Sequence, residues 1–467
     1  MGGCDGALCS LDALNDFAPI NHTQAMTLIR PGHIVRLFSG GSALDFLKSI
    51  SVKGFSAVVL LVSSSLLARS LAPAGFGIYT YIFSTTTVFL TPVSVAVGSV
   101  IVRELGKLHS SASGVHEVNR QLSTALTVMA MLLVAPTAWI TWSVRDLGAD
   151  FHGWHGAVIT ASCTVLVFSM AINGIVAAVF QVNKEIALSN AINTLVRPVL
   201  FLAIVAVAVL SNTISVQVAI AGLAVSSLLA LVIGRRIAHR RYPGVRMDFR
   251  RGSGHWGFIT AAVPFLFLGL VQSAYGQMAI IALRKLGTVE QVGILGVALL
   301  ISSPPSVLAG LAATYVTTDI ARSPAKDGKA LAAKAAPVSF ALGAGTLLYL
   351  AVFAVGGHWL IAKVYGAGYT DAFGVALIVL AGQAISSLLG FAGPMLNMRG
   401  FERHSLACSI AALVLLALCC WLLIPAHGVV GAALSTAIAV VAWKTALLVV
   451  ARIKLGAWVL ASPRIQH

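Results

Sequence analysis

Charged residues are scarce in this chain of 467 residues, and acidic ones are the scarcest. Only 10% of the residues are Asp, Glu, Lys or Arg, whereas 58% are apolar, and the mean hydropathy is +0.92. Fifteen acidic residues are set against 31 Lys and Arg, which gives a formal net charge of +16. A composition so poor in charge excludes an ordinary soluble domain and is typical of a chain that lies largely in a bilayer.

The chain also lacks the residue patterns of metal, redox and catalytic sites. Its six cysteines show no Cys-x-x-Cys spacing, and its 12 histidines form no His-Glu-x-x-His pattern. Phosphate-binding loops, dinucleotide-binding fingerprints and nucleophile elbows are missing as well. Because no polar stretch is long enough for a soluble catalytic domain, we expect no enzyme activity, no cofactor and no metal site.

What the chain does contain is a series of apolar runs of about 20 residues, the length that crosses a hydrocarbon layer of ~30 Å. They predict an all-α integral membrane protein with about twelve transmembrane helices. The predicted spans are 50–68, 78–101, 122–142, 157–180, 185–210, 214–234, 256–282, 291–314, 336–356, 372–394, 404–424 and 429–451.

Lys and Arg are sorted between alternate gaps of this series. One set of gaps holds 24 of them, and by the positive-inside rule these gaps face the cytoplasm. The sorting places both termini in the cytoplasm and predicts a multi-pass protein of the bacterial inner membrane. The opposite, outer gaps hold only Arg69, Arg145, Arg284, Lys285 and Lys363.

The densest basic stretch, 235–251, contains seven arginines. Basic stretches can bind nucleic acid, but this one coincides with a predicted cytoplasmic gap between spans. We therefore interpret it as a loop that fixes the topology and contacts anionic lipid headgroups, and we expect no nucleic-acid partner.

The sequence repeats once. Arg69 and Arg284, 215 residues apart, and Gly77 and Gly293, 216 apart, lie at the outer ends of the first and seventh predicted spans. Six spans separate the copies, so the repeat predicts two parallel six-helix lobes with a central cavity. The predicted domains are a cytoplasmic tail 1–45, a first lobe 46–234, a basic linker 235–255, a second lobe 256–451 and a cytoplasmic tail 452–467.

Three motifs resemble a known family. Segment 68–81 has Arg69, Pro73, Phe76, Gly77 and Tyr79 and is similar to a first-loop signature of polysaccharide-repeat flippases. Segment 364–372 resembles that family's Gly-x-x-Tyr stretch, and segment 423–434 its Ile-Pro-x-x-Gly-x-x-Gly-Ala-Ala stretch. The three motifs occur in the family's order over roughly residues 50–455. On them the chain resembles the Wzx-type (O-antigen and exopolysaccharide) flippases of the multidrug/oligosaccharidyl-lipid/polysaccharide exporter superfamily.

The resemblance implies a function in surface polysaccharide synthesis. A flippase of this kind moves undecaprenyl-pyrophosphate-linked oligosaccharide repeat units from the inner to the outer leaflet by alternating access of its two lobes. The implied partners are this lipid-linked cargo and membrane lipid, with a polysaccharide polymerase and a chain-length regulator as candidates. We expect a monomer.

Two other functions stay open at this point. A cation-coupled multidrug antiporter of the same fold needs an Asp or Glu inside the membrane, but all 15 acidic residues fall in tails, loops or predicted helix ends. The deep charges are positive, Arg197 and Lys444, which favours an anionic cargo. A membrane scaffold of a glycan-assembly complex that transports nothing is the other alternative.

Arg197 is the residue we predict to hold the anion. It lies twelve residues into the fifth predicted span, about 18 Å deep at 1.5 Å per residue, and a guanidinium suits phosphate. Pro198 follows it and frees a backbone carbonyl one turn earlier, while Asn193 would share its helix face and orient it. Lys444 and Lys53 are secondary candidates on the cytoplasmic side. An arginine that merely binds helix carbonyls is the alternative.

Further polar residues of the predicted spans are candidates for contact with the cargo, or for simple hydrogen bonds between helices. Arg69 and Arg284 are candidates for an outer gate, or for contacts with lipid headgroups. Pro264 and the pair Pro304 and Pro305 are candidates for hinges, or for static kinks. The hydrogen-bonding candidates are Asn173, Gln272, Tyr275, Gln277 and Gln383.

Overall fold

The structure, a computed structural model, describes residues 41–109, 115–145, 153–183, 185–245, 255–322, 328–456 and 458. Across these residues the regular structure is entirely helical, which confirms the predicted all-α class. The predicted tails fall mostly outside the described residues, as do positions 246–254 of the basic linker. Residues 235–241 of that linker are helical.

Fourteen α-helices are described. Those of the first half (46–234) are α1 (Gly41–His109), α2 (Val115–Leu132), α3 (Val134–Arg145), α4 (Trp154–Val182), α5 (Ile186–Asn190), α6 (Val196–Leu210) and α7 (Val216–Arg241). Those of the second half (256–451) are α8 (His255–Leu286), α9 (Val289–Ile301), α10 (Ser303–Arg322), α11 (Gly328–Val364), α12 (Ala372–Leu388), α13 (Ala392–Met398) and α14 (Glu402–Leu455).

The helices are long and apolar enough for a multi-pass membrane protein. Eight qualify as membrane spans, or ten if each of two bent helix pairs is one span. Two of the eight, within α1 and α14, are 55 and 54 residues long, which is about twice what one crossing requires. The count of twelve crossings and the division into two lobes stay predictions.

Each of these two long helices is interrupted once, where the sequence predicts an outer loop. In α1 the break is Ala72, with φ 56° and ψ 171°. Pro73 follows it, and a proline pushes the preceding residue out of the helical region. In α14 the break is Gly428, with φ 54° and ψ −128°, a conformation that glycine adopts without steric cost. The chain therefore changes direction at both sites without a long loop.

Of the two proline sites predicted as hinges, one lies at a bend, and movement at either site stays a prediction. Helices α9 and α10 are bent by 46° at Ser302, directly before Pro304 and Pro305. By contrast, α8 runs without a break through Pro264. Helices α12 and α13 are bent by 47°.

A π-helical turn, Ala191–Leu195, interrupts the helix that leads to α6. Pro198 cannot donate a hydrogen bond to the carbonyl of Thr194, four residues earlier. The Ser56 hydroxyl of α1 donates to that carbonyl instead. The freed carbonyl predicted from Pro198 is therefore present, and it ties α1 to the start of α6.

Candidate functional site

The two halves meet most closely at two glycines. Gly77 lies against the carbonyl of Val289, and Gly293 lies against the carbonyl of Pro73. Each glycine thus contacts the carbonyl four residues before the other glycine, and both pairs are related by the 216-residue offset of the repeat. A Cβ at either glycine would collide with the opposing backbone, so only glycine permits this approach.

Two hydrogen bonds join the halves beside this crossing. Arg69 donates from Nη1 to the carbonyl of Lys363, at 3.2 Å. Tyr369 donates from its hydroxyl to the carbonyl of Ala68, at 2.9 Å, and its ring stands edge-on to Phe76 with centroids 6.3 Å apart. Tyr369, only 2% exposed, was not among the candidates from sequence, although it lies in a quoted motif.

Arg284, the repeat partner of Arg69, also reaches into the opposite half. Its guanidinium carbon lies 5.9 Å from the centroid of the Tyr81 ring. Both predicted gate residues therefore lie where the halves touch at the predicted outer end. We call these contacts, formed by residues 68–81 with 284–293 and 363–369, the outer seam.

The contact between the halves continues along α8 and the second part of α1. The Ser273 hydroxyl donates to the carbonyl of Val88, at 2.9 Å. Further along, Gly269 lies against Pro92, so close that a Cβ would come within 2.9 Å of the proline Cα. From Arg284 to Gly269 this contact follows α8 for about 22 Å, at 1.5 Å per residue. The halves are thus closed against each other on this side.

Arg197 lies in the first half, at the start of α6, and is partly buried. Its Nη1 donates to the Met170 sulfur at 2.8 Å. The described salt bridges include none from Arg197 to a carboxylate. A thioether is a weak acceptor, so most of the guanidinium's hydrogen-bonding capacity is unused.

The other candidates of the first half do not gather around Arg197. Asn193 lies in the π-helical turn, is exposed, and makes no hydrogen bond to Arg197. The π-helical i→i+5 winding removes the i,i+4 relationship on which the expected contact rested. Asn173 is buried and donates to the carbonyl of Ile192 at 3.2 Å, a bond between helices of the same half. Lys53 is partly buried in α1.

The second half contains a cavity of about 350 Å³. Three candidates from sequence line it together: Tyr275 from α8, Gln383 from α12 and Lys444 from α14. Gln272 and Gln277 do not line it, and Gln272 is exposed. The remaining wall consists of small or apolar groups and hydroxyls, among them Leu299, Pro305, Ser306, Ser386, Ser387 and Thr436.

Two residues that line this cavity, and Trp443 next to Lys444, each carry a polar atom without a protein partner. The Tyr275 hydroxyl, Gln383 Oε1 and the indole nitrogen of Trp443 are buried without a hydrogen bond. The rings of Tyr275 and Trp443 are 5.2 Å apart, and the Lys444 ammonium lies 5.7 Å from the Trp443 ring centroid. Buried polar groups are normally satisfied, so the Tyr275 and Gln383 part of the lining is suited to a ligand that supplies both an acceptor and a donor.

Arg197 and Lys444 each lie more than three helical turns from the predicted outer end of their helix. Arg197 is 13 residues before the end of α6 at Leu210, about 20 Å, and Lys444 is 16 residues after Gly428, about 24 Å. Arg197 belongs to the first half and Lys444 to the second.

Carboxylates are placed quite differently. All six whose side chains are described lie at or within a few residues of a helix end. The described residues also contain no group of His, Cys, Asp and Glu that could hold a metal ion. The six are Glu104, Glu117, Glu185, Glu290, Asp371 and Glu402.

No family model and no curated protein matches the chain. Solved structures do. The lipid II flippase MurJ in an inward closed conformation is 13% identical, with a TM-score of 0.70 over 86% of this chain and 87% of its own. A multidrug resistance MATE transporter of the MOP superfamily, also 13% identical, gives 0.65 in its inward-facing conformation over 88% and 98%. An outward-facing MATE transporter of that superfamily is 15% identical and gives a TM-score of 0.54 over 91% of this chain and 98% of its own. The chain therefore has the fold of the lipid II flippase and the MATE transporters over nearly its whole length.

Proposed function

We propose that the protein is a flippase that moves undecaprenyl-pyrophosphate-linked oligosaccharide repeat units from the inner to the outer leaflet of the bacterial inner membrane. The observation that carries this proposal is one deep cation in each half, Arg197 and Lys444, neither in a described salt bridge. A charge at such depth is costly unless a polar cavity or a counter-ion receives it. An anionic cargo supplies the counter-ion.

The cavity at Lys444 supports the same cargo class. Small-molecule sites have volumes of roughly 300–1,000 Å³, and this cavity, near the lower end of that range, would take the pyrophosphate and the sugar next to it rather than the whole oligosaccharide. Its ammonium would attract phosphate, while Gln383 and Tyr275 would bond to sugar hydroxyls. The polyprenyl chain would stay in lipid beside the bundle.

Alternating access supplies the mechanism. With the outer seam closed, cargo would enter from the cytoplasmic side, and opening of the seam would release it outward. The TM-scores of 0.70 and 0.65 with inward conformations, against 0.54 with an outward-facing one, support the interpretation that this structure is closed at the outer end. A membrane potential that is negative inside favours expulsion of an anion by about 2.3 kcal/mol per charge at 100 mV.

A cation-coupled multidrug antiporter is the second candidate, because MATE transporters share the fold to a comparable degree. Such a protein needs a carboxylate inside the membrane to bind a proton or Na⁺. The positions of the six described carboxylates at helix ends disfavour it.

Transport of a lipid-linked oligosaccharide tests the proposal. Purified protein is reconstituted into vesicles, labelled undecaprenyl-pyrophosphate oligosaccharide is then inserted into their outer leaflet, and an external glycosidase reports how much label becomes protected. We expect protection with the protein and none without it. In cells, deletion should trap the lipid-linked repeat on the cytoplasmic leaflet.

Two outcomes would contradict the flippase. Efflux of a cationic dye driven by a proton or Na⁺ gradient, without protection of the oligosaccharide, would show an antiporter. A deletion that lowers synthesis or polymerisation of the repeat, and leaves its leaflet distribution unchanged, would show a scaffold.

A further inference from the structure

The cytoplasmic end of α7 has two different faces. Gly234 and Ala238 point into the bundle, and a Cβ at Gly234 would lie 2.9 Å from Ile192 and 3.3 Å from Asn173. The opposite face of the last two turns is exposed and basic. It carries Arg235, Arg236, His239 and Arg240, which with Val232 line a surface pocket of about 530 Å³.

An apolar stripe continues from this pocket along the same face, toward the middle of the membrane. The side chains recur at helical spacing on the face opposite Gly234, as one side of a 3.6-residue helix requires. Four exposed residues form it: Val225 (48% exposed), Leu228 (46%), Leu229 (42%) and Val232 (46%). This face therefore matches a phospholipid in polarity: its basic end lies where the headgroup would be, at the membrane surface, and its apolar stripe lies where the acyl chains would be.

The basic cluster is not a consequence of the internal repeat. With the 216-residue offset, Arg236 corresponds to Arg452 at the end of α14. Arg452 is engaged by its own chain, since it donates to the carbonyl of Gly456 at 2.6 Å and lies 5.7 Å from the Trp458 ring.

The arginines of the α7 pocket have no such partners. Arg241 pairs with Glu185, but the described salt bridges and hydrogen bonds include none from Arg235, Arg236 or Arg240. Three guanidinium groups within six residues repel one another unless an anion lies between them. They also lie at a helix C-terminus, so the helix dipole tolerates the cations but supplies no counter-ion of full charge.

We propose that this pocket binds the phosphate headgroup of an anionic phospholipid of the cytoplasmic leaflet, whose acyl chains lie along the stripe from Val225 to Val232. The lipid is a ligand on the outside of the bundle, separate from the cargo. Arginine provides planar, charge-assisted hydrogen bonds to phosphate oxygens, and the stripe provides the apolar contact that a soluble anion would not use.

Lipid titration of the purified full-length protein tests this site. Binding of phosphatidylglycerol and of phosphatidylcholine is measured by native mass spectrometry and by the shift in thermal midpoint. We expect preferential binding of phosphatidylglycerol. Its affinity should fall about fivefold for each arginine replaced in Arg235→Gln, Arg236→Gln and Arg240→Gln.

Matched variants distinguish binding at this pocket from a general effect of the protein's positive charge. The pair Arg452→Gln and Lys454→Gln removes basic residues from the corresponding helix end and should leave the affinity within twofold of wild type. The substitutions Arg235→Lys, Arg236→Lys and Arg240→Lys should retain most of the binding, and gel filtration should show every variant as folded as wild type.

Three results would overturn the proposal. They are equal binding of phosphatidylcholine, an equal loss in the α14 variants, and competition by soluble glycerol phosphate as strong as by the lipid. The first two would leave the arginines a role in topology only, and the third would assign the pocket to a free phosphate. Transport of the oligosaccharide is not the readout, so failure of the flippase proposal would not affect the result.

Discussion

Gly77 and Gly293 occupy equivalent positions in the two halves, and each lies against the carbonyl four residues before the other. This reciprocity is what a twofold axis between parallel repeats produces. Because both contacts involve backbone atoms, the approach depends on the absence of a Cβ and not on any side-chain interaction.

Substitution of either glycine by alanine should therefore hold the outer seam open. In a cysteine-free background, Ser84→Cys, a buried position beyond the seam, would be labelled faster by a membrane-impermeant thiol reagent in Gly77→Ala or Gly293→Ala cells. Gly98→Ala is the matched control in the same helix, since a Cβ there meets nothing within 4 Å. Unchanged labelling in both seam variants would mean that the halves do not close at these glycines.

Loss of the Tyr369 hydroxyl should also favour the open outer seam, but by a smaller amount than the glycine substitutions. Tyr369→Phe removes one hydrogen bond between the halves, worth about 1 kcal/mol, so we expect about fivefold more labelling at position 84. Tyr349→Phe is the control, because its hydroxyl also donates to a backbone carbonyl at 2.9 Å, that of Ile301 in its own half. Equal effects of the two variants would refute a role specific to the seam.

Arg197→Ala should abolish export of the polysaccharide while the protein inserts at normal levels, because the anion loses its guanidinium. Arg197→Lys should restore part of the activity, since an ammonium keeps the charge but not the planar donor geometry. Surface polysaccharide and membrane-inserted protein are measured together. Full surface polysaccharide in the alanine strain would show that the anion is held elsewhere.

Lys444→Ala should lower transport at least tenfold, whereas Lys454→Ala, a basic residue near the end of the same helix, should have little effect. Vesicle protection of the labelled oligosaccharide provides the measurement. If both variants transport like wild type, the cavity of the second half does not receive the cargo phosphate.

The predicted orientation is tested with two engineered cysteines, Asp150→Cys and Arg246→Cys. In intact cells an impermeant thiol reagent should label the first and spare the second, because the basic gaps face the cytoplasm. The reverse pattern would invert the topology.

Sequence alone predicted the features that depend on local chemistry. The apolar runs indicated the helices, Pro73 and Gly428 lie at the interruptions of the two long ones, and Pro198 explains the free carbonyl of Thr194. Tyr275, Gln383 and Lys444 were candidates as polar groups within apolar runs, and the fold brings them to one cavity.

Long-range and irregular features were not predictable in this way. The hydrogen bond from Tyr369 to Ala68 joins residues 301 positions apart, and no local pattern specifies which helices meet. Asn193 was placed beside Arg197 by assuming regular α-helical spacing, and the π-helical turn between them breaks that spacing. Single-sequence periodicity determines the face of a helix only where the helix is regular.

The outer seam joins the halves through backbone carbonyls and glycines, and no described salt bridge belongs to it. A phenol donates only while it is protonated, and burial raises the pKa of Tyr369, so this bond persists at every pH below the ordinary tyrosine value of about 10. In the predicted orientation, the seam faces the compartment whose acidity and salinity follow the surroundings of the cell. A closure built from uncharged acceptors would keep its strength in acidic or brackish surroundings, which leaves cargo as the main influence on when it opens.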